Sequence, residues 1–430
     1  MAASSRRAVI TGIGVVTSIG NDLSSFWSAL HAGRSGIRRI QAFDTSRLPV
    51  QIAGEVPDFN EKTARKFVAK EHGKSLKVMA RTIQLAVAAA QRCLDDAGVD
   101  TGKLDPERFG VEFGAGLIAT ELPDIGDAAR VSINCQPGAV DMVKWGAEGL
   151  PAIQPLWMLK YLPNMPACHV SIMHNAQGPN NSITEGDAAS LLALGEAHRI
   201  LGRDAADFFL VGGTESKINP VSLVRQCMFE QTSKRNEEPE KACRPFDRRR
   251  DGLVLGEGAA VFVLEELAHA EARGARVLAE VVGFGAAFDA KQNGDGLARA
   301  IRAALADAGV GPEQIDHVNA HGLASKEADV WEARGLQRVF ADVQPAVPVF
   351  APKSYIGNLG AGGGATELAA SVLALQHGLV PATLNYEEPD PACPVAVTAG
   401  EPRPVRTPYV LKVSFTQMGQ CAALVLRKWT

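Results

Sequence analysis

Stretches rich in apolar and β-branched residues alternate with Ala- and Leu-rich stretches along the chain. AVITGIGVV (8–16), FGVEFGAG (109–116), DFFLVGGTE (207–215) and AAVFVLEE (259–266) predict strands. KVMARTIQLAVAAAQRCLDDAG (77–98) and ASLLALGEAHRIL (189–201) predict helices. This alternation predicts an α/β protein whose layers surround a largely parallel sheet covered on both faces.

One unit occurs twice. LDDAGVDTGKLDPERFGVEFGAG (94–116) and LADAGVGPEQIDHVNAHG (305–322) share a helix end, a capping glycine (Gly98, Gly309), a short polar link and a strand closing on glycine. Two α/β halves are therefore expected, residues 1–265 and 266–430. The join EELAHAEARGARVLAEVVGFG is too short for a flexible linker, so the halves should share one core. Residues 120–166, dotted with Pro and Trp and lacking periodicity, are expected to form a lid or interface insertion.

Composition narrows the class. With 430 residues, 46% hydrophobic and 21% charged, the chain has material for a large core. A net charge of -4 argues against a nucleic-acid footprint, which needs clustered Lys and Arg. No window supplies the roughly 20 apolar residues of a membrane span. The opening MAASSRRAVITGIGVV is glycine-broken and reads as a first strand rather than a signal peptide. Seven scattered cysteines (Cys93, Cys135, Cys168, Cys227, Cys243, Cys393, Cys421) have no metal-ligand spacing and read as mostly buried thiols in a reducing compartment.

Four motifs carry candidate chemistry. TGIGVVTSIG has Gly12 and Gly14 after a strand, but Thr17 stands where a dinucleotide loop needs its third glycine. GNLGAGGGA (357–365) lacks the Gly-Lys-Ser/Thr ending of a phosphate loop and reads as close backbone packing. HVNAHG sets His321 at the C-terminal end of an apolar strand, where open sheets collect ligands. In CRPFDRRRDGLVLGEG, Arg244, Asp247, Arg250 and Asp251 read as a salt-bridged loop, at about 0 to 1 kcal/mol per exposed pair.

Together RRAVITGIGVVTSIGND, CRPFDRRRDGLVLGEGAAVFVLEELAHAEARGA, NAHGLASKEADVWE and APKSYIGNLGAGGGATE resemble, in order and nearly end to end, the elongating β-ketoacyl-acyl carrier protein synthases of the thiolase-like superfamily. The resemblance implies a thiolase-like fold, two pseudo-repeated halves in a layered α-β-α-β-α core, no cofactor and no metal. In that family a cysteine at a buried helix N-terminus carries the acyl chain, and two histidines serve decarboxylation and the oxyanion. A thiolate there is acidified yet nucleophilic.

Three positions depart from that pattern. Nine residues after Gly178 in GPNNSITEGD, the nucleophile position holds Asp187. A carboxylate attacking a thioester would form a mixed anhydride, so Asp187 is expected instead to cap the helix that follows, worth about 1 kcal/mol. His321 matches the first histidine and Lys353 the motif lysine, but the second histidine falls on Asn358, which donates hydrogen bonds and exchanges no proton. The gate appears as Phe415, Thr416, Gln417 and Met418. Loss of a nucleophile from a cooperating set can cost on the order of 10⁶ in rate.

The subfamily most similar is the cysteine-less chain-length factor of type II polyketide systems, whose Thr-Glu before the vacant position matches Thr184 and Glu185. The resemblance implies a cytoplasmic, non-condensing subunit meeting acyl carrier protein, as a heterodimer with an active synthase or as a homodimer. The alternatives are a residual enzyme using His321, Lys353 and Asn358 on carrier-protein thioesters, or a homodimeric binding protein. Cys421 is a conceivable replacement nucleophile. The basic stretch with Arg65, Lys66, Lys70, Lys74 and Lys77 could meet an acidic carrier protein, or be a solvated face.

Overall fold

Both central helices of the chain are apolar on nearly every side, which requires protein on every side of them. In the computed structural model, which describes residues 6–134 and 138–430, they lie between two sets of strands. The first set is β1 (Ala8–Val16), β2 (Phe109–Ala115), β3 (Asn180–Ile183), β4 (Phe208–Ser216) and β5 (Glu257–Glu266). The second is β6 (Ala279–Phe288), β7 (Ile315–Asn319), β8 (Pro348–Phe350), the short edge β9 (Ala396–Val397), β10 (Tyr409–Phe415) and β11 (Gln420–Lys428). Among the described residues these strands form one sheet, ordered β3-β2-β4-β5-β1-β6-β11-β10-β7-β8-β9. Each half thus repeats one order outward from its first strand, and the halves join where β1 and β6 pair antiparallel, Ala8 opposite Val281.

The helices complete five layers. Helix α1 (Arg81–Ala97) covers β1 and β5 from outside, while α2 (Ala189–Gly202) touches β2 and β4 of one half and β6 and β11 of the other. Helix α3 (Asp295–Ala308) covers β6 and β11 from outside and packs on α4 (Ala328–Phe340). Helix α5 (Gly363–His377) runs beside α2 between the halves, with its first 13 residues buried. The repeated unit is visible in detail: α1 and α3 end on Gly98 and Gly309 at φ 62° and 66°, the left-handed conformation that glycine adopts without a Cβ penalty.

The sheet is not largely parallel. Its five central pairings are antiparallel, and parallel pairs occupy only the flanks. The cause is burial: β1 and β5 are covered on both faces at every residue, so antiparallel strands here carry the unbroken apolar runs usual for parallel ones. Between β10 and β11 only Thr416–Gly419 intervene, too few residues for a parallel crossover.

Close packing explains the glycine motifs. A Cβ on Gly14 would stand 2.0 Å from the Ala89 carbonyl oxygen, and one on Gly12 2.6 Å from Ala97 Cβ, so both let α1 lie against β1. Gly364 sits where a Cβ would meet Ser190 Oγ at 2.9 Å, bringing α5 against α2.

The Arg-Asp loop is a correction. Arg244, Asp247 and Arg250 are 2%, 0% and 3% exposed, so this is a buried network rather than a surface one. Asp247 accepts from Arg244 Nε at 3.0 Å and from the Glu387 and Glu388 amides at 2.7 Å, tying the loop to the C-terminal half. Asp251 alone is partly exposed, 3.5 Å from Arg235. Within 120–166 the described residues are mostly short helical turns, beginning with a helix at Leu122–Val131. That insertion leaves Leu122, Met142, Val143, Leu150, Leu156 and Met158 exposed.

The described cysteines are free, four of them buried (Cys93, Cys243, Cys393, Cys421); Cys135 lies outside the described residues, as does the MAASS opening. Arg65, Lys66, Lys70, Lys74 and Lys77 are all exposed, on turns of 3₁₀ helix and their flanks. No described helix is long and apolar enough to cross a membrane.

Candidate active site

His321 leaves the end of β7 on a backbone that Glu332 of α4 holds from behind. The amides of His321 and Gly322 donate to Glu332 Oε1 and Oε2 at 2.6 and 2.7 Å. Burial lifts the Glu332 carboxyl to about 7. The ring is 1% exposed, and its Nδ1 lies 3.1 Å from Lys353 Nζ. An ammonium only donates, so Nδ1 accepts and the ring proton sits on Nε2. Burial first, then the charges of Lys353, Lys412 and Lys217, push the His321 pKa well below its usual 6.5. The ring is therefore neutral near pH 7 and presents a donor, not a base, at Nε2.

Two lysines converge on one carboxylate behind the histidine. Glu367 of α5 accepts from Lys353 at 2.6 Å and from Lys412 of β10 at 2.5 Å. Burial lowers the Lys412 pKa to about 8, while the two ammonium groups overcome burial and hold Glu367 below its ordinary value. Lys412 also donates to the Ala320 carbonyl at 3.1 Å, which fixes the turn before His321.

Asn358 is oriented by its own backbone. Its N–H donates to the Val254 carbonyl at 2.7 Å, its carbonyl accepts from Gly256 at 2.9 Å, and Gly357 at φ 76° lets the chain reach that register. The side-chain oxygen accepts from the Gly360 amide at 3.1 Å, which turns the NH2 outward. That nitrogen stands 3.5 Å from Asp187 Oδ2, a long hydrogen bond. Asp187 Oδ2 is also 3.9 Å from His321 Nε2, too far for one.

The capping role expected of Asp187 is not observed. Helix α2 begins at Ala189 with Ala188 as its cap and no side-chain cap bond, and Asp187 lies within the preceding 3₁₀ turn, Gly186–Ala188. It is thus one residue too early to reach the first helical amides, and faces Asn358 and His321 instead. Glu185 is exposed and closes the turn through its carbonyl, bonded to the Ala188 amide at 3.1 Å.

The expected gate divides. The Phe415 ring packs 4.5 Å from the His321 ring, and a Cβ on Gly186 would stand 3.6 Å from the Thr416 methyl, so both border the site. Gln417 instead bonds Glu230 at 2.6 Å, and Met418 is 80% exposed at the tip of the β10–β11 turn. Cys421 lines a small cleft with Phe415, Leu297, Trp331 and Glu332, and its thiol donates to the Gly419 carbonyl at 3.5 Å. Burial pushes it up to about 12, so it stays a thiol at neutral pH.

Lys217 and Glu215, at the end of β4, were not singled out from the sequence. Lys217 Nζ lies 3.9 Å from Glu215 Oε1 and within electrostatic reach of both Asp187 and His321. Burial opposes its charge, but Glu215 and Asp187 outweigh burial and raise its pKa. Glu215 in turn accepts from the Ala361 amide at 2.6 Å, locking the glycine-rich turn after Asn358.

A model of the β-ketoacyl synthase N-terminal domain matches residues 5–270, and one of the C-terminal domain matches residues 278–387. The chain belongs to the β-ketoacyl synthase family. Its fold is thiolase-like, in two pseudo-repeated halves. It is 35% identical to 3-oxoacyl-(acyl-carrier-protein) synthase 2 of Coxiella burnetii, over 98% of this chain and 99% of that protein. It is 36% identical to the oxytetracycline polyketide putative β-ketoacyl synthase 1 of Streptomyces rimosus, over 98% of this chain and 97% of that one. Among solved structures, the ishigamide ketosynthase/chain length factor superposes with a TM-score of 0.85 at 32% identity, over 99% of this chain and 100% of that one. A complex of a type II polyketide acyl-carrier protein with its ketosynthase gives 0.82 at 26% identity, over 99% and 100%.

Proposed function

We propose that this β-ketoacyl synthase homologue of fatty acid or polyketide biosynthesis does not condense. In this reading it is a chain-length-factor-like subunit that shapes the acyl tunnel of an active synthase and meets acyl carrier protein in the cytoplasm. The observation that carries the reading is Asp187: a carboxylate at the helix mouth, 3.5 Å from Asn358 and 3.9 Å from His321, with Cys421, the thiol in the cleft beside Phe415, held protonated. An acyl group on that carboxylate would be an anhydride, which water destroys faster than a second substrate could use it. His321, a donor, keeps a partner in carbonyl polarisation, because the Asn358 amide also donates.

The exposed apolar side chains of the insertion, Met142 and Val143 at 72% and 82% exposure among them, support pairing, since a protein contact there would take them out of water. The similarity to a ketosynthase/chain length factor and to a carrier-protein complex supports the choice of partners. The test mixes the protein with candidate synthases and with acyl and malonyl carrier protein, then reads association by size and loading by intact mass. Expected are a heterodimer and no covalent acyl adduct. A stable thioester on this chain, or failure to associate with every candidate while each elongates normally alone, overturns the reading.

A further inference from the structure

Two buried polar atoms at the mouth of α2 have no partner among the described residues: Asp187 Oδ1 and His321 Nε2. One is a carboxylate acceptor, the other an imidazole donor on a ring that is 1% exposed, and 3.9 Å separates His321 Nε2 from the other Asp187 oxygen. Buried polar groups are almost always satisfied, so each is open to a partner that enters from outside the chain, water included. The Asn358 amide nitrogen adds a second donor on the same side. Two donors and one free acceptor form the complement of a thioester carbonyl with a water beside it.

We infer that the Asp187, His321 and Asn358 cluster hydrolyses acyl thioesters, with Asp187 as the base that activates water. Asp187 Oδ1 takes a proton from water as the hydroxide oxygen bonds to the thioester carbon. His321 Nε2–H and the Asn358 amide hold the carbonyl oxygen as it gains the electron pair. The C–S bond then breaks, the proton on Asp187 passes to the leaving thiolate, and the products are a carboxylic acid and a thiol. Thioester and water balance the equation without another reactant. A thiolate at position 187 would make an acyl-enzyme; a carboxylate there hands the same carbonyl to water. The activity goes beyond a tunnel-shaping role and needs no second subunit, so its failure and a failure to pair are separate observations.

The test uses the full chain with acetyl-, butyryl-, hexanoyl- and octanoyl-pantetheine, following thiol release, in ordinary and heavy-oxygen water. Expected is release above the buffer rate for at least one thioester, falling by about 10²-fold or more in Asp187→Asn, as removal of a general base predicts. His321→Ala should also slow release, and an unchanged melting temperature in each variant separates chemistry from folding. Heavy oxygen should appear in the released acid. No release above buffer with any thioester overturns the inference, as does release undiminished in Asp187→Asn. Heavy oxygen in the peptide that holds Asp187 also overturns it, because the carboxylate would then have attacked covalently.

Discussion

Replacing Glu112 by glutamine should stabilise the protein, and increasingly so as the pH rises. Glu112 lies mid-strand in β2 at 1% exposure, with Oε2 free of any partner among the described residues. Burial, and then the charge of Glu196 on α2, raise its pKa from 4.5 to about 8. Between those values the folded protein keeps a proton that the unfolded chain has released, so stability falls as pH rises. Each pH unit is worth 1.36 kcal/mol, which amounts at pH 7 to a cost of about 3 kcal/mol and above pH 8 to a plateau of about 4 to 5. Glutamine keeps the volume and cannot ionise. With an unfolding entropy near 2.1 cal/mol/K per residue, a chain of this length gains about 3 to 4 °C at pH 7. Urea and thermal unfolding of both proteins from pH 4 to 8.5 measure it. A difference that is flat with pH, or that grows toward acid, refutes the reasoning.

Three further outcomes can be checked on the same apparatus or by NMR. Asp247→Asn weakens a carboxylate that accepts from Arg244 and from the Arg249, Glu387 and Glu388 amides, and should cost about 3 to 5 kcal/mol in urea unfolding; a loss under about 1 would place the network among exposed pairs. Gly14→Ala puts a Cβ 2.0 Å from the Ala89 carbonyl and should cost at least about 1 to 3 kcal/mol, more than Gly98→Ala, whose Cβ meets nothing and faces only the left-handed backbone penalty. His321, held below 6.5 by burial and three lysines, should show the neutral Nε2–H tautomer by nitrogen NMR from pH 5.5 to 8, and a titration midpoint near 6.5 would contradict that assignment.

The strands and central helices were legible because each element carries a simple apolar pattern, and the repeat because Gly98 and Gly309 mark equal helix ends. Strand direction was not legible. An apolar run reports burial on both faces, and β1 and β5 are so buried between layers whichever way their neighbours run. Charge in CRPFDRRRD read as solvent exposure, since sequence shows the charges of Arg244, Asp247 and Arg250 but not the residues 387–390 that fold over them.

At the site, legibility followed the length scale of the signal. His321, Lys353 and Asn358 sit in continuous motifs, so the resemblance reached them. The spacing from Gly178 placed Asp187, but its capping role followed local helix logic, and a single 3₁₀ turn defeats that logic by making Ala188 the cap and releasing the carboxylate toward the other half. Lys412 and Glu367 carried a signal that went unread: YVLKVSF and ATELAASVLALQ each hold one charge in an otherwise uncharged run. A charge that cannot escape an element covered on both faces must find its opposite in another buried element. Two such runs of opposite sign therefore specify a contact, Lys412 with Glu367, and it holds the two lysines that act on His321: Lys412 donates to the Ala320 carbonyl and fixes the turn, while Lys353, on the same carboxylate, faces Nδ1 and leaves the ring proton on Nε2.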